Sequence, residues 1–256
     1  MSRTLAFGDD GSKGADTCWR WIISQRWEGW GLEVVTCTPP ADMRPVPPEA
    51  AQLHPWDPER PRDPGGAGFD SVTHSQAEVD PRLALISRVW DLVAIGPRGS
   101  GLLKSLHLGS TADWLLREPT SPLVVARRPD PVRRVLVATD GSTHAARAIS
   151  TLASLPWLPA TSIRILSVDD GRIDAEGSLA AAWQVLAQSG AATETVTRKG
   201  TVTAALLAET EEWGADLVAM GARGHSGLKR LVIGSSTAAI AGSIDSSVLV
   251  AHATPS

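Results

Sequence analysis

Two glycine-spaced blocks carry the chemistry this sequence can do. One reads Gly96-Pro97-Arg98-Gly99, nine residues, then Gly109-Ser110-Thr111; the other reads Gly221-Ala222-Arg223-Gly224, nine residues, then Gly234-Ser235-Ser236. Glycines three apart let a backbone turn tightly, approach a ligand closely and aim N–H groups at it. The later Gly-Ser pair suits the opening of a helix, serine being a favoured N-cap. A helix start offers unpaired N–H groups and the positive end of the dipole, which together suit a phosphate. A single Gly-x2-Gly serves turns and close packing as readily as it serves a ligand. Recurrence with the same nine-residue gap and the same Gly-Ser ending favours the ligand. Neither block is a Walker A loop, because Leu102-Leu103 stand where Lys-Ser/Thr would follow Gly101. Neither half carries the Gly-x-Gly-x-x-Gly of a dinucleotide fold after its first strand.

The blocks belong to an internal repeat. Residues 91–110 match residues 216–235 at 12 of 20 positions, an offset of 125. Upstream, Asp10-Gly11-Ser12 answers Asp140-Gly141-Ser142, and at the far ends Pro122–Ala126 answers Ser247–Ala251. Three matched blocks in one order predict two copies of one domain, residues 1–128 and 132–256, joined by the charged, proline-punctuated Arg127–Pro131.

Strands and helices must alternate to place the glycine blocks. In the second copy the pattern predicts strands at Val135–Ala138, Ile163–Val168, Thr193–Arg198, Leu217–Met220 and Val248–Ala251. Helices are predicted at Thr143–Leu155, Ala175–Gln188 with Gly190 as its stop, Ala204–Trp213 and from about Ser236. Alternation of this kind implies α/β domains, each a three-layer sandwich around a mostly parallel five-stranded sheet. The first copy follows the same plan. Its opening helix is predicted from a Trp19, Ile22, Ile23, Trp27 stripe. Nine of the chain's 18 prolines fall within residues 39–64, which predicts an irregular insert in place of the middle helix.

Composition narrows the function classes. The chain has 256 residues, 43% hydrophobic and 20% charged, with 24 basic against 28 acidic residues for a net charge of −4. That is globular composition without a broad basic surface, so no nucleic-acid partner is expected. Cys18 and Cys37 are too few for a disulfide framework or a cysteine-rich zinc site. No apolar run has the length of a membrane span or of a secretory leader at Met1–Asp10, so a cytoplasmic protein without a membrane partner is expected. Ten tryptophans beside two phenylalanines and no tyrosine have no functional reading here.

Gly-x2-Gly-x9-Gly-Ser, with Asp-Gly-Ser after the first strand, resembles the universal stress protein family over nearly the whole chain, as a tandem pair. The resemblance implies Rossmann-like sandwiches whose members with this glycine pattern bind ATP, possible partnership with Mg2+ included. It implies that Asp140 lies beside the nucleoside, that the backbone of Val168 meets the adenine edge, and that Gly221, Gly224, Gly234 and Ser235 hold ribose and phosphates. It also implies that Ala138, Thr139, Met220, Arg223 and Ser236 flank the same pocket. In the first copy the equivalents are Asp10, Cys37, Gly96, Gly99, Gly109, Ser110 and Thr111. It further implies that Leu123–Ala126 and Val248–Ala251 pair as sheet edges in an internal pseudo-dimer, with a homodimer of whole chains left open. The first copy departs at Asp9, which stands where the second copy has Thr139 and would repel a phosphate if it faced the site.

Other candidates carry less. Arg98, Arg223, Lys104 and Lys229 recur and can contact phosphate or stand as solvated loop charges. His107 and His225 lie in the gaps at unmatched positions, and His54, His74, His144 and His252 form no ligand-spaced pair, so no metal site is expected. Asp169-Asp170 can reach a nucleotide-bound magnesium or form a solvated turn. Cys18 reads as a small core residue. Hydrolysis needs a positioned water or base, and no residue is assigned to that role. The expectation is therefore an adenine-nucleotide-binding stress-response module. The alternatives are a slow ATPase or nucleotide-dependent enzyme in the same pocket, or an interaction protein that binds no nucleotide.

Overall fold

The computed structural model describes residues 2–37, 62–77, 80–97, 108–118, 120–169, 171, 173–224 and 234–253. The first half holds β1 (Arg3–Asp9), α1 (Lys13–Ile23), β2 (Trp30–Cys37), β3 (Ser71–Ala77), α2 (Pro81–Ile86), β4 (Leu92–Ile95), α3 (Ser110–Arg117) and β5 (Leu123–Val125). The second holds β6 (Arg134–Ala138), α4 (Thr143–Ala153), β7 (Ser162–Asp169), α5 (Ala175–Leu186), β8 (Ala192–Lys199), α6 (Val202–Trp213), β9 (Leu217–Gly221), α7 (Ser235–Ser243) and β10 (Ser247–Ala251). Alternating strands and helices thus give an α/β fold, as the hydrophobic pattern predicts.

The ten strands among the described residues form one sheet in the order β3-β2-β1-β4-β5-β10-β9-β6-β7-β8. The second half of that order is the first half read backwards. Every neighbouring pair is parallel except β5 and β10, which run antiparallel with Val125 opposite Val248 and Leu123 opposite Val250. The central strands β4, β5 and β10 are buried along their whole length, as strands covered on both faces must be. The outermost strands β3 and β8 are mostly exposed, β3 rich in Ser and β8 in Thr and charged residues, which suits unpaired edges. Among the described residues no helix is long and apolar enough to cross a membrane.

The turns follow from local chemistry. Gly11 and Gly141 adopt φ of +70° and +75°, a conformation that disfavours any side chain, and so turn β1 and β6 into their helices. Ser12 and Ser142 then cap those helices, their hydroxyls accepting from the N–H groups of Ala15 and Ala145 at 3.1 and 3.2 Å. Gly214, left-handed at φ +67°, stops α6.

One expectation needs correction. The predicted stripe on the first helix does not hold: α1 ends at Ile23, which is 39% exposed, and Trp27 lies beyond the helix. The buried face is Ala15, Cys18, Trp19, Trp21 and Ile22, so Cys18 is indeed a core residue. Trp27 is buried for a different reason: its indole N–H donates to the Ile22 carbonyl at 2.8 Å and its ring stacks on Phe69. Most of the proline-rich 39–64 lies outside the described residues; Arg62, Asp63 and Pro64 run into a single turn of 3-10 helix at Gly65–Ala67.

The tryptophans have a structural role. Trp157, following α4, meets the edges of Trp21 and Trp27 from the first half at ring centroids 6.1 and 6.3 Å apart. Burial of such large rings contributes several kcal/mol. The two halves therefore share a core as well as a sheet.

Candidate functional site

The second-half site forms where β6 and β9 end side by side. The Asp140 carboxylate accepts from the Ser142 N–H at 2.9 Å, and Thr139 Oγ1 accepts from the Gly141 N–H at 3.3 Å. Both bonds tighten the turn into α4. The Ser142 hydroxyl also donates to the Arg223 carbonyl at 3.3 Å, tying this turn to the loop after β9. Ala222 anchors that loop from both sides: its N–H donates to Ala251 and its carbonyl accepts from Gly234, each at 2.8 Å. Gly234 is thereby held at the start of α7.

The glycines have distinct reasons to be glycine. A Cβ on Gly221 would lie 2.6 Å from the Ala145 nitrogen and 2.8 Å from the His144 carbonyl carbon, so this glycine lets β9 pack against the first turn of α4. A Cβ on Gly224 would lie 2.7 Å from Asp140 Oδ2, which places the second glycine directly on the carboxylate. Gly234 differs. Its φ is −61°, and a Cβ there would meet its nearest neighbour, the Ala222 carbonyl oxygen, at an ordinary 3.4 Å. No positive φ explains this glycine, and a methyl there would make ordinary contacts with Ala222, Arg223 and Thr237.

The first half repeats the arrangement. Asp10 accepts from the Ser12 N–H at 3.0 Å, and the Gly109 N–H donates to Pro97 at 2.7 Å, matching the bond from Gly234 to Ala222 at the offset of 125. A Cβ on Gly96 would lie 2.2 Å from the carbonyl carbon of Gly14, the residue 130 before His144. Ser110 and Thr111 open α3 behind a glycine N-cap of φ −74°. α3 and α7 both lack a side-chain cap, so the N–H groups of their first turns have no partner from the N-cap residue.

Asp9 does not confront the site as a bare charge. It is 2% exposed and bound by both arms of Arg62, Nε to Oδ2 at 2.7 Å and Nη2 to Oδ1 at 3.0 Å. Arg62 also pairs with Asp16 at 2.8 Å and lies over the rings of Phe7 and Trp19. Asp9 keeps the local duty of Thr139 as well, accepting from the Gly11 N–H at 3.1 Å. The expected repulsion of a phosphate is thus cancelled by a partner that the sequence places 53 residues away.

The structure brings Asp140, Gly221, Arg223, Gly224 and Gly234 together. Ala138 ends β6 paired with Leu166, and Val168 stands two residues further along β7, buried. Met220 is buried on β9, and the backbone of Ser235 and Ser236 forms the first turn of α7. Asp10, Gly96, Gly109, Ser110 and Thr111 occupy the matching first-half positions, and Cys37 ends β2. Gly99, Arg98, Lys104, His107, Asp170, His225 and Lys229 lie outside the described residues. Among the described residues no group of three His, Cys, Asp or Glu could hold a metal.

Sequence reasoning missed two histidines beside the second site. His144, on the first turn of α4, and His252, after β10, stand with ring centroids 6.0 Å apart. Burial pushes both imidazoles below the ordinary histidine value; Arg223 adds to this at each, Asp140 opposes it at His144, and the Leu116 carbonyl opposes it at His252. At 108 residues apart in the chain, no spacing rule could pair them. Chemically the site can bind an anion on backbone N–H groups and hold a polar group against Asp140.

Residues 131–252 match the family described as "Universal stress protein family". A curated universal stress protein of Synechocystis sp. is 30% identical over 180 residues, 68% of this chain, and the match covers 63% of the relative's length. Among solved structures, a universal stress protein from Archaeoglobus fulgidus superposes with a TM-score of 0.72 at 20% identity, over 99% of this chain and all of that one. A functionally unknown protein from Pseudomonas aeruginosa superposes at 0.63 with 18% identity, over 98% of this chain and 92% of that one. At these identities the superpositions speak for the fold.

Proposed function

We propose that the chain is a stress-response module that binds ATP, its two halves being two copies of one such domain, a reading supported by the match of residues 131–252 to the universal stress protein family. The observation that carries the reading is the uncapped α7 start, held by the bond from Gly234 to Ala222, beside an Asp140 carboxylate that occupies the place a side chain on Gly224 would take. Phosphates would lie on the N–H groups of the first turn of α7, where the helix dipole favours negative charge. The sugar hydroxyls would reach Asp140, and the base would lie toward Val168 at the end of β7. The residues present fit such a group: Gly234 puts no side chain of its own at the start of α7. ATP bound there would supply charged phosphates and a purine face; the protein supplies donors, a carboxylate and shape.

Two measurements test the reading. Mass spectrometry of small molecules released from the denatured, freshly purified protein should find an adenine nucleotide, and calorimetric titration of stripped protein with ATP should show saturable binding. A chain that releases none and gives no binding heat would leave only the interaction-protein alternative.

A further inference from the structure

Residues 127 and 252 stand 125 apart, the offset that relates the glycine blocks, and so do residues 116 and 241. The four make two matching contacts across the junction of the halves. Arg127 Nη2 donates to the Ala241 carbonyl on α7, with Nη1 reaching the Ser246 carbonyl at 3.4 Å. His252 Nε2 lies 2.9 Å from the Leu116 carbonyl on α3. Both carbonyls sit in the last turn of their helices, where the helix itself supplies no partner and basic side chains commonly do. Each half thus closes the end of a helix in the other.

The two contacts use different chemistry. A guanidinium keeps its proton at any ordinary pH, so the Arg127 side is permanent. His252 is 8% exposed. With its Nε2 proton committed to Leu116, its Nδ1 carries a lone pair that has no hydrogen-bond partner among the described residues. A second proton would put a charged N–H there with nothing to accept it. The surroundings also oppose that charge. Arg223 lies near from the loop after β9. From α4, His144 stands edge-on, its Nδ1 accepting from the Ala253 N–H at 2.9 Å, so that its own proton is on Nε2. Arg117, next to Leu116 on α3, is paired with Asp113; Asp140 acts on His144. Only the helix-end carbonyl favours a cation, and burial outweighs it.

We propose that His252 and Leu116 form an acid-sensitive clasp: uptake of a proton by His252 releases the C-terminal end of α3 from the other half, while Arg127 holds α7. The sign follows from the direction of the shift. The folded pocket resists the proton that an unfolded imidazole takes up near pH 6.5, so the contact's contribution is complete above that value and declines as pH falls below it.

Hydrogen exchange of the full chain tests this, with rates corrected for the intrinsic effect of pH. Between about pH 7.5 and about pH 5.5, protection of residues 110–118 should fall by about tenfold or more while that of 235–243 holds. His252→Arg, which copies the Arg127 side, should abolish the pH dependence. His252→Gln, a neutral donor, should do so too and stands in if arginine is not accommodated. Equal protection at both pH values in the unaltered chain, or a pH-dependent loss that survives His252→Gln and so belongs to His144, would overturn the proposal. The measurement needs no nucleotide, so it stands apart from the ATP reading.

Discussion

Arg62 grips Asp9 with two parallel hydrogen bonds, 2.7 and 3.0 Å, in a pocket where the carboxylate side chain has no exposure at all. Removing one partner of a buried pair strands the other's charge. Arg62→Ala should therefore destabilise the chain by about 3 kcal/mol. Adding Asp9→Thr, the residue at the matching position 139, should restore most of that loss, because threonine can still accept from the Gly11 N–H. Urea unfolding of the single and double variants measures the coupling directly. Additive losses would contradict the pairing.

Gly96→Ala should be costly and Gly234→Ala mild. The first would drive a methyl to 2.2 Å from backbone that cannot rotate away, so α1 must shift off β4. A loss of about 3 kcal/mol or a failure to fold is expected for Gly96→Ala, and a change within about 1 kcal/mol for Gly234→Ala. Thermal melts compare them.

Gly234→Val should weaken ATP binding at least about tenfold, a change of ~1.4 kcal/mol, with little effect on the melt. The backbone at φ −61° accepts valine, and an unchanged melt tells blocked phosphates from crowding against Ala222, Arg223 and Thr237. Gly109→Val should weaken total binding less, since the first half has no counterpart of α5 among its described residues. Full binding in folded Gly234→Val would remove the site assignment.

Trp157→Ala should cost about 3–5 kcal/mol, because it empties the space against the touching pair Trp21 and Trp27 at the junction. If the halves unfold together in the unaltered chain, this variant should split guanidinium unfolding into two transitions. A single unchanged transition would mean that the aromatic contact contributes little.

Much of this was readable in the chain itself. Asp-Gly-Ser at 10–12 and 140–142 announces two helices entered from a left-handed glycine and capped by serine, and both occur. Central strands such as Leu92–Ile95 read clearly because a strand covered on both faces must be apolar throughout. What stayed hidden depends on distance in the chain. Gly96 looked like a ligand residue, yet the backbone of Gly14 already explains its missing side chain. Asp9 looked like a hostile charge because nothing near it in sequence neutralises it. Trp27 fell on the helical period of α1, but its indole bond to Ile22 buries it from the following loop. Arg127 and His252 escaped notice because the repeat is visible as identity, and here the role is kept while the residue type is changed.

The antiparallel seam of β5 with β10 also bears on how such a protein can change over generations. Where two identical copies close a sheet around a symmetry axis, each substitution is made twice, in mirrored places, and the two sides can never part company. Here both sides of the seam are written in one polypeptide, so a change on one side leaves the other as it was. Asp9 with Arg62 opposite Thr139, and Arg127 opposite His252, are differences of a kind that no pair of identical chains could inherit.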